Sequence, residues 1–253
     1  MAVVGSAICA AMNLGAAGCL SAPSPPAGAT DADLEPPRDA AAPDGDAGDA
    51  APRACPGTST DALDIDFADA SQLDEWHESM TAGCSMTVQE GVLRFEQIGG
   101  AALCRTFADL GLDLVGRSLS IRVANPGAAS LTFSLVLDEP GLFDRRTWHF
   151  FEKEGGMFYH GTCEPTETSL SCAATDATPF SAEAHSQWRF RHDAERDELV
   201  LETRGSDGQN YALLATVPDV PADLVDCSGI DLGSYQKSDG PSGTSAFDDL
   251  RAE

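Results

Sequence analysis

An all-β fold, an antiparallel two-sheet β-sandwich, is what this sequence predicts, and three observations carry the prediction. The first is the stretch Ser186–Val217. Trp188 and Phe190 alternate with Arg189 and Arg191, Leu199 and Leu201 alternate with Glu198 and Glu202, and Tyr211, Leu213 and Ala215 form a third run. Turn residues at Asp193–Asp197 and Gly205–Gly208 separate the three runs. Alternation of period two, broken twice by turns, is the pattern of a three-stranded meander with one face on a core and one in water. The second observation is that some twelve such short runs recur with turn signals between them. The third is what is missing from the sequence: no long apolar pattern of helical period, and no internal repeat that would suggest a propeller or solenoid.

The chain opens with MAVVGSAICAAMNLGAAGCLSAP, in which residues 2–18 carry no charge. That run is too small-residue-rich for a membrane span and has the size of the apolar region of a secretory signal, although a basic start is lacking. Residues 1–18 are therefore read as a signal peptide. Ala16-Ala17-Gly18-Cys19 resembles a bacterial lipobox, which makes Cys19 the expected lipidation site. Leu20 after the cysteine, by resemblance to the enteric sorting rule, points to the outer membrane of a bacterial envelope; secretion is the alternative. Residues 19–53 form a Pro-, Ala- and Asp-rich linker with almost no large apolar residue, and such a segment stays disordered because it cannot bury enough surface to offset its chain entropy.

Residues 54–253 suit one domain with a real core. The linker holds seven acidic residues against two arginines, which leaves −21 of the chain's formal −26 on this domain. A charge of that sign argues against nucleic acid as a partner, since that binding depends on Lys and Arg neutralising phosphates. Membrane contact is expected through the lipid anchor only, and the domain is expected to be a monomer. Six cysteines remain after Cys9 and Cys19: Cys55, Cys84, Cys104, Cys163, Cys172 and Cys227. An even set in an exported domain reads as disulfides, and no CxxC pair suggests zinc. The short polar loop EPTETSLS favours Cys163–Cys172. Cys84–Cys104 would staple neighbouring strands, and Cys55–Cys227 remains as the third pair.

Along the domain, Leu63, Ile65 and Phe67 alternate with Asp64 and Asp66 as a first strand. A turn leads to Trp76. SMTVQ and GVLRFEQ form a hairpin about Glu90-Gly91, AALCRTF continues, and SLSIRV is followed by the turn Asn125-Pro126-Gly127 and by SLTFSLVL. TWHFFEK and GMFYHG make a hairpin turning at Gly155-Gly156. Residues 164–185 read as polar loop. Phe247 and Leu250 are the apolar residues of the closing SAFDDLRAE, and Trp76 and Trp188 are assigned to the core.

Four pieces in order resemble the concanavalin A-like lectin/glucanase superfamily, near the laminin-G-like jelly rolls: LDIDFADASQLDEW with TVQEGVLRF, HSQWRFRHDAERDELVLETRGSDGQNY, IDLGSYQ, and AFDDLRAE. Tyr211 stands where tryptophan is usual. The resemblance covers most of residues 60–253. It implies a jelly roll whose first and last strands are neighbours, and it implies no single activity.

Retaining glucanases of that fold set carboxylates at alternate positions of one strand, so that two lie roughly 5–5.5 Å apart. No such run exists here. Glu195–Glu198, Glu164–Glu167 and Asp64/Asp66 fall on turns, a loop and an opening strand. The chain is accordingly expected to be no enzyme, with a lyase or glycosidase as the alternative and His149, Tyr159 and His160 as the residues to suspect. The favoured expectation is a carbohydrate or surface-ligand site on the hairpin bearing Trp148, His149, Tyr159 and His160. A domain serving protein contact alone is the remaining class. No cofactor is expected, and calcium is the one ion the pattern raises, through Asp64/Asp66 meeting Asp248/Asp249 if the terminal strands pair.

Overall fold

The computed structural model describes residues 63–98, 102–138, 146–166, 170–236 and 242–253. The leader, Cys19, the linker and Cys55 lie outside the described residues. The chain enters on β1 (Asp64–Ile65) and makes a 3-10 turn at Ala70–Leu73, started by the Asp69 carboxylate accepting from the Ser71 amide. β2 (His77–Met80), β3 (Cys84–Gln89), β4 (Val92–Gln97) and β5 (Ala102–Leu112) follow. β6 (Ser118–Asn125) and β7 (Leu131–Asp138) flank the Asn-Pro-Gly turn, and β8 (Arg146–Glu154) and β9 (Met157–Pro165) flank the Gly-Gly turn. Both predicted hairpin turns hold consecutive left-handed residues, Glu90 with Gly91 and Gly155 with Gly156, as a two-residue turn matched to strand twist requires.

Residues 164–185 are more ordered than their polarity suggests. They carry β10 (Leu170–Ala174), β11 (Thr178–Pro179) and the short helix α1 (Ala182–His185). The identity of β10 comes from its partner: each residue from Leu170 to Ala174 pairs with β9, and Cys172 lies directly opposite Cys163. The meander is β12 (Gln187–Asp193), β13 (Glu198–Arg204) and β14 (Ala212–Val217). A second short helix, α2 (Ala222–Val225), precedes β15 (Ser228–Gln236) and β16 (Gly243–Ala252). No helix among the described residues is long and apolar enough to cross a membrane.

Two antiparallel sheets result. Sheet A runs β10-β9-β8-β7-β15-β5-β2, with β11 on β9; sheet B runs β14-β13-β12-β6-β16-β4-β3, with β1 on β16. The first and last strands are neighbours as the resemblance implied, with Asp64 opposite Arg251. In each sheet a strand from the end of the chain, β15 or β16, sits between strands made much earlier.

The core is the set of alternate side chains that the two sheets turn toward each other. Phe133, Phe151, Phe158, Trp188, Phe190 and Phe247 form one ring cluster, with Phe151 and Phe190 at 4.7 Å between centroids. Trp76, Trp188, Phe247 and Leu250 are all buried, as predicted. Leu213 is not on the core side: it is 63% exposed. The pairing of β13 with β14 slips between Leu201/Ala215 and Glu202/Leu213, and this bulge turns Leu213 to the outer face beside Glu202.

The favoured disulfides are present. Cys163–Cys172 joins adjacent strands with Cα atoms 4.0 Å apart. Cys84–Cys104 has Cα atoms 5.8 Å apart, but β3 and β5 belong to different sheets, so this bridge closes the sandwich rather than stapling neighbours. Cys227 is also bridged; its expected partner, Cys55, lies outside the described residues.

The Asn-Pro-Gly turn is fastened from two sides. The Gly127 amide donates to Asn125 Oδ1 at 3.0 Å, and the buried Lys153 ammonium donates to the carbonyls of Gly127 and Ala129. Burial holds the Lys153 pKa below its ordinary value. Gly127 has φ +43°, and a Cβ there would fall on the Thr244 carbonyl oxygen. Gly127→Ala is therefore expected to lower stability by more than ~1 kcal/mol, read as a fall in the urea midpoint at unchanged slope.

Candidate functional site

The strand β8 decides what faces where. Phe151 lies in the core cluster, so residues of its parity, His149 and Lys153, turn inward, while Trp148, Phe150 and Glu152 turn to the outer face of sheet A. Register carries this outward set across the sheet in three rows. Gly229, Val136, Trp148, Cys163 and Cys172 form one. His77, Phe107, Asp231, Ser134, Phe150 and Gly161 form the next. Ser79, Arg105, Gly233, Thr132, Glu152 and Tyr159 form the third.

The middle of this outer face is as dry as the core: Phe150 is 2% exposed, Ser134 4% and Glu152 0%. The Phe150 ring lies over Gly161, where a Cβ would meet Phe150 Cζ at 2.8 Å. Around that floor the side chains become accessible. Trp148 and Tyr159 are half-buried on one side, and Arg105, Phe107 and the exposed His77 are on the other. The Tyr159 hydroxyl donates to Glu154 Oε2 at 3.0 Å. Arg105 Nε donates to Asp231 Oδ2 at 2.6 Å, its guanidinium lies 5.1 Å from the Phe107 ring centre, and the Phe107 ring meets His77 tilted by 39° at 5.2 Å between centroids. Burial pushes the Asp231 pKa up, against the pull of Arg105.

The four residues suspected from sequence are thus split. Trp148 and Tyr159 share the outer face. His149 and His160 point between the sheets and are 3% and 9% exposed. His149 Nδ1 shares a hydrogen bond of 3.0 Å with Thr162 Oγ1, and burial drives its pKa down to about 4. Burial also lowers the pKa of His160. Tyr159 and His160 are consecutive in a strand, so alternation already forbids both from serving one face. Arg105, Phe107, Asp231 and Glu152 are not brought together by sequence alone, because their nearness depends on the register of β5, β15 and β8, which single runs do not reveal.

The terminal acidic residues do come together, and arginines occupy them. Arg251 lies 2.6 Å from Asp249 Oδ1 and 3.4 Å from Asp64 Oδ1, and Arg122 pairs with Asp248. Among the described residues no three of His, Cys, Asp and Glu converge as a metal site. Of the acidic clusters that glycosidase chemistry could use, Glu195 and Asp197 lie exposed in a turn, Asp64 is exposed on β1 and Asp66 just after it, and Glu164 is exposed on β9.

No family model and no curated protein matches the chain. Solved structures do. The legume lectin-like domain from Entamoeba histolytica aligns at TM-score 0.52 and 10% identity, over 76% of this chain and 96% of that one. The fold is a legume lectin-like jelly roll. Winged bean acidic lectin, solved with methyl-alpha-D-galactose, aligns at TM-score 0.45 and 14% identity over 76% of this chain and 98% of its own. The CBM2 module of the Lactobacillus casei BL23 phage J-1 evolved Dit aligns at 0.49 and 9%, over 75% and 93%. Identities this low speak for the jelly roll alone, and activity must be argued from the site.

Proposed function

We propose that this jelly roll binds an extended carbohydrate chain on the outer face of sheet A, without cleaving it. The observation that carries the reading is the placing of Trp148 and Tyr159. They lie on adjacent strands, on one face, and four residues apart along the strand direction, roughly 14 Å at 3.4 Å per residue. Two amphipathic rings set that far apart suit a chain of sugar units, whose apolar ring faces stack on aromatics while their hydroxyls take hydrogen bonds. Arg105, locked by Asp231, and His77 supply polar groups at the opposite rim. The legume lectin-like fold agrees with a carbohydrate ligand by analogy. The charge-free leader and Cys19 extend the proposal to a lipid-anchored display domain on a bacterial envelope.

The test is affinity electrophoresis of the full chain against a panel of polysaccharides and cell-wall material, with and without EDTA. Trp148→Ala is expected to weaken retention ~10-fold or more, equal to about 1.4 kcal/mol, while the inward His149→Gln leaves it unchanged. Retention on no material would sink the proposal and favour a protein-facing role. Shortened or unsaturated products would make the chain an enzyme, and loss with EDTA would bring in calcium.

A further inference from the structure

Both sheets end at the same side of the sandwich, sheet A on β2 and sheet B on β3. Between these edges lies an open cleft of about 500 Å³, floored by Trp76 and walled by Leu73, Met86 and Val88, with Asp74 and Glu78 at its mouth. Among the described residues no lysine or arginine lines it. The disulfide Cys84–Cys104 ties β3 to β5 beside it, so the cleft does not have to be assembled on binding. Two of the large apolar side chains most open to water, Met80 (46%) and Ile98 (70%), lie at the same end, where the Ile98 amide bonds to Gly83 next to the β2–β3 connection.

We propose that this edge is a docking site for an extended basic peptide segment, which adds as a strand to β2 and seats an apolar side chain against Trp76. Three features support that occupant. First, β2 is a usable edge. All four of its residues are exposed, its pairing with β5 has no bulge, and it contains neither proline nor lysine, the usual devices that blunt an edge. The Thr81 amide donates to Leu103 on β5, so by alternation the amides of Glu78 and Met80 point away from the sheet. Second, the cleft has the size of a ligand pocket and sets the apolar Leu73, Trp76, Met86 and Val88 beside the polar Asp74, Glu78 and Thr87, so that one side chain of an added strand finds an apolar seat and its neighbours find polar partners. Third, the charge selects the partner. Glu78 pairs in register with the inward Thr106 and therefore faces the cleft, and Asp74 and Glu75 are exposed beside it. An inward carboxylate at an edge repels a second copy of the same edge. A strand carrying lysine or arginine at alternate positions meets these carboxylates instead.

The test uses the full chain and a labelled nine-residue peptide that alternates lysine with valine around a central phenylalanine. Controls replace lysine by glutamate, or keep the composition with the lysines gathered into one block. Fluorescence anisotropy should show the alternating peptide binding at least tenfold more tightly than either control. Hydrogen exchange should slow at Glu78 and Met80. Met80→Pro removes one outward amide, a change an edge strand tolerates, and should abolish the gain while the melting temperature holds. Glu78→Lys should reverse the preference toward the glutamate peptide even if Met80→Pro proves unstable. Equal binding of the alternating and blocked peptides, or no slowing of exchange on β2, would overturn the proposal. A concentration-dependent dimer buried on this edge would overturn it as well, in favour of a second copy.

Discussion

Replacing Trp188 with alanine will lower the free energy of unfolding by ~3–5 kcal/mol, the range for truncating a fully buried large aromatic. Trp188 is 0% exposed on β12, with its ring 5.9 Å from Phe151, 5.8 Å from Phe158 and 5.8 Å from Phe247. It therefore touches residues of both sheets, and its loss opens a cavity that neither can close alone. Its Nε1–H donates to the His185 carbonyl at 2.9 Å, which anchors the end of α1 to the core. Against a typical total of about 5–15 kcal/mol this one change brings the domain near the edge of folding. Trp188→Phe separates the two contributions: it keeps most of the apolar volume and removes only the hydrogen bond, so it should cost ~1–2 kcal/mol. Urea unfolding of both variants, followed by far-UV circular dichroism, gives the comparison. Two equal losses would mean that the bond to His185, rather than the ring packing, holds this side together.

Acid will destabilise the domain between pH 6.5 and pH 4 through His149. Burial drives its folded pKa to about 4 from the ordinary 6.5, so the folded form keeps the imidazole neutral over a range in which the unfolded chain takes up a proton. The resulting stability is whole above pH 6.5, declines as pH falls, and is spent by the folded pKa, a total of about 3 kcal/mol at 1.36 kcal/mol per unit. His160 and His185, both lowered by burial, act in the same direction. Asp231 acts in the opposite one, because its raised pKa favours the protonated form inside the fold. His149→Gln retains a partner for Thr162 and removes the titration. The stability difference between pH 7 and pH 4.5 should shrink by about 2.5 kcal/mol in that variant. A variant with the same acid loss as the parent would place the titration elsewhere.

The turns were readable because their chemistry is local. Glu90-Gly91, Gly155-Gly156 and Asn125-Pro126-Gly127 each name a backbone conformation that few other residues accept, and the structure has all three where the sequence put them. The meander was readable because Trp188 and Phe190 keep strict alternation with arginines. Alternation stopped being a guide at Leu213, where one extra residue in β14 reverses the facing of everything before it. It also failed for β10, whose small and polar residues become a strand only because β9 and Cys163 lie beside them. The outer face of sheet A was half legible. Parity on β8 separates Trp148 from His149. Bringing Arg105, Phe107 and Asp231 to the same face takes the pairing of β5 with β15, some 126 residues apart along the chain at Arg105 and Asp231.

The places of β15 and β16 set a timetable. Each lies in the interior of its sheet, bonded on one side to β7 or β6 and on the other to β5 or β4. Until Ser228 and the residues after it have left the ribosome, sheet A exists only as β10-β9-β8-β7 and β5-β2, and sheet B only as β14-β13-β12-β6 and β4-β3. At about 5–20 residues per second the final strands follow the meander by seconds, and through that interval no sheet can close. A growing chain of this design therefore keeps both sheets divided, with unpaired edges at β7, β5, β6 and β4, until β15 and β16 are made.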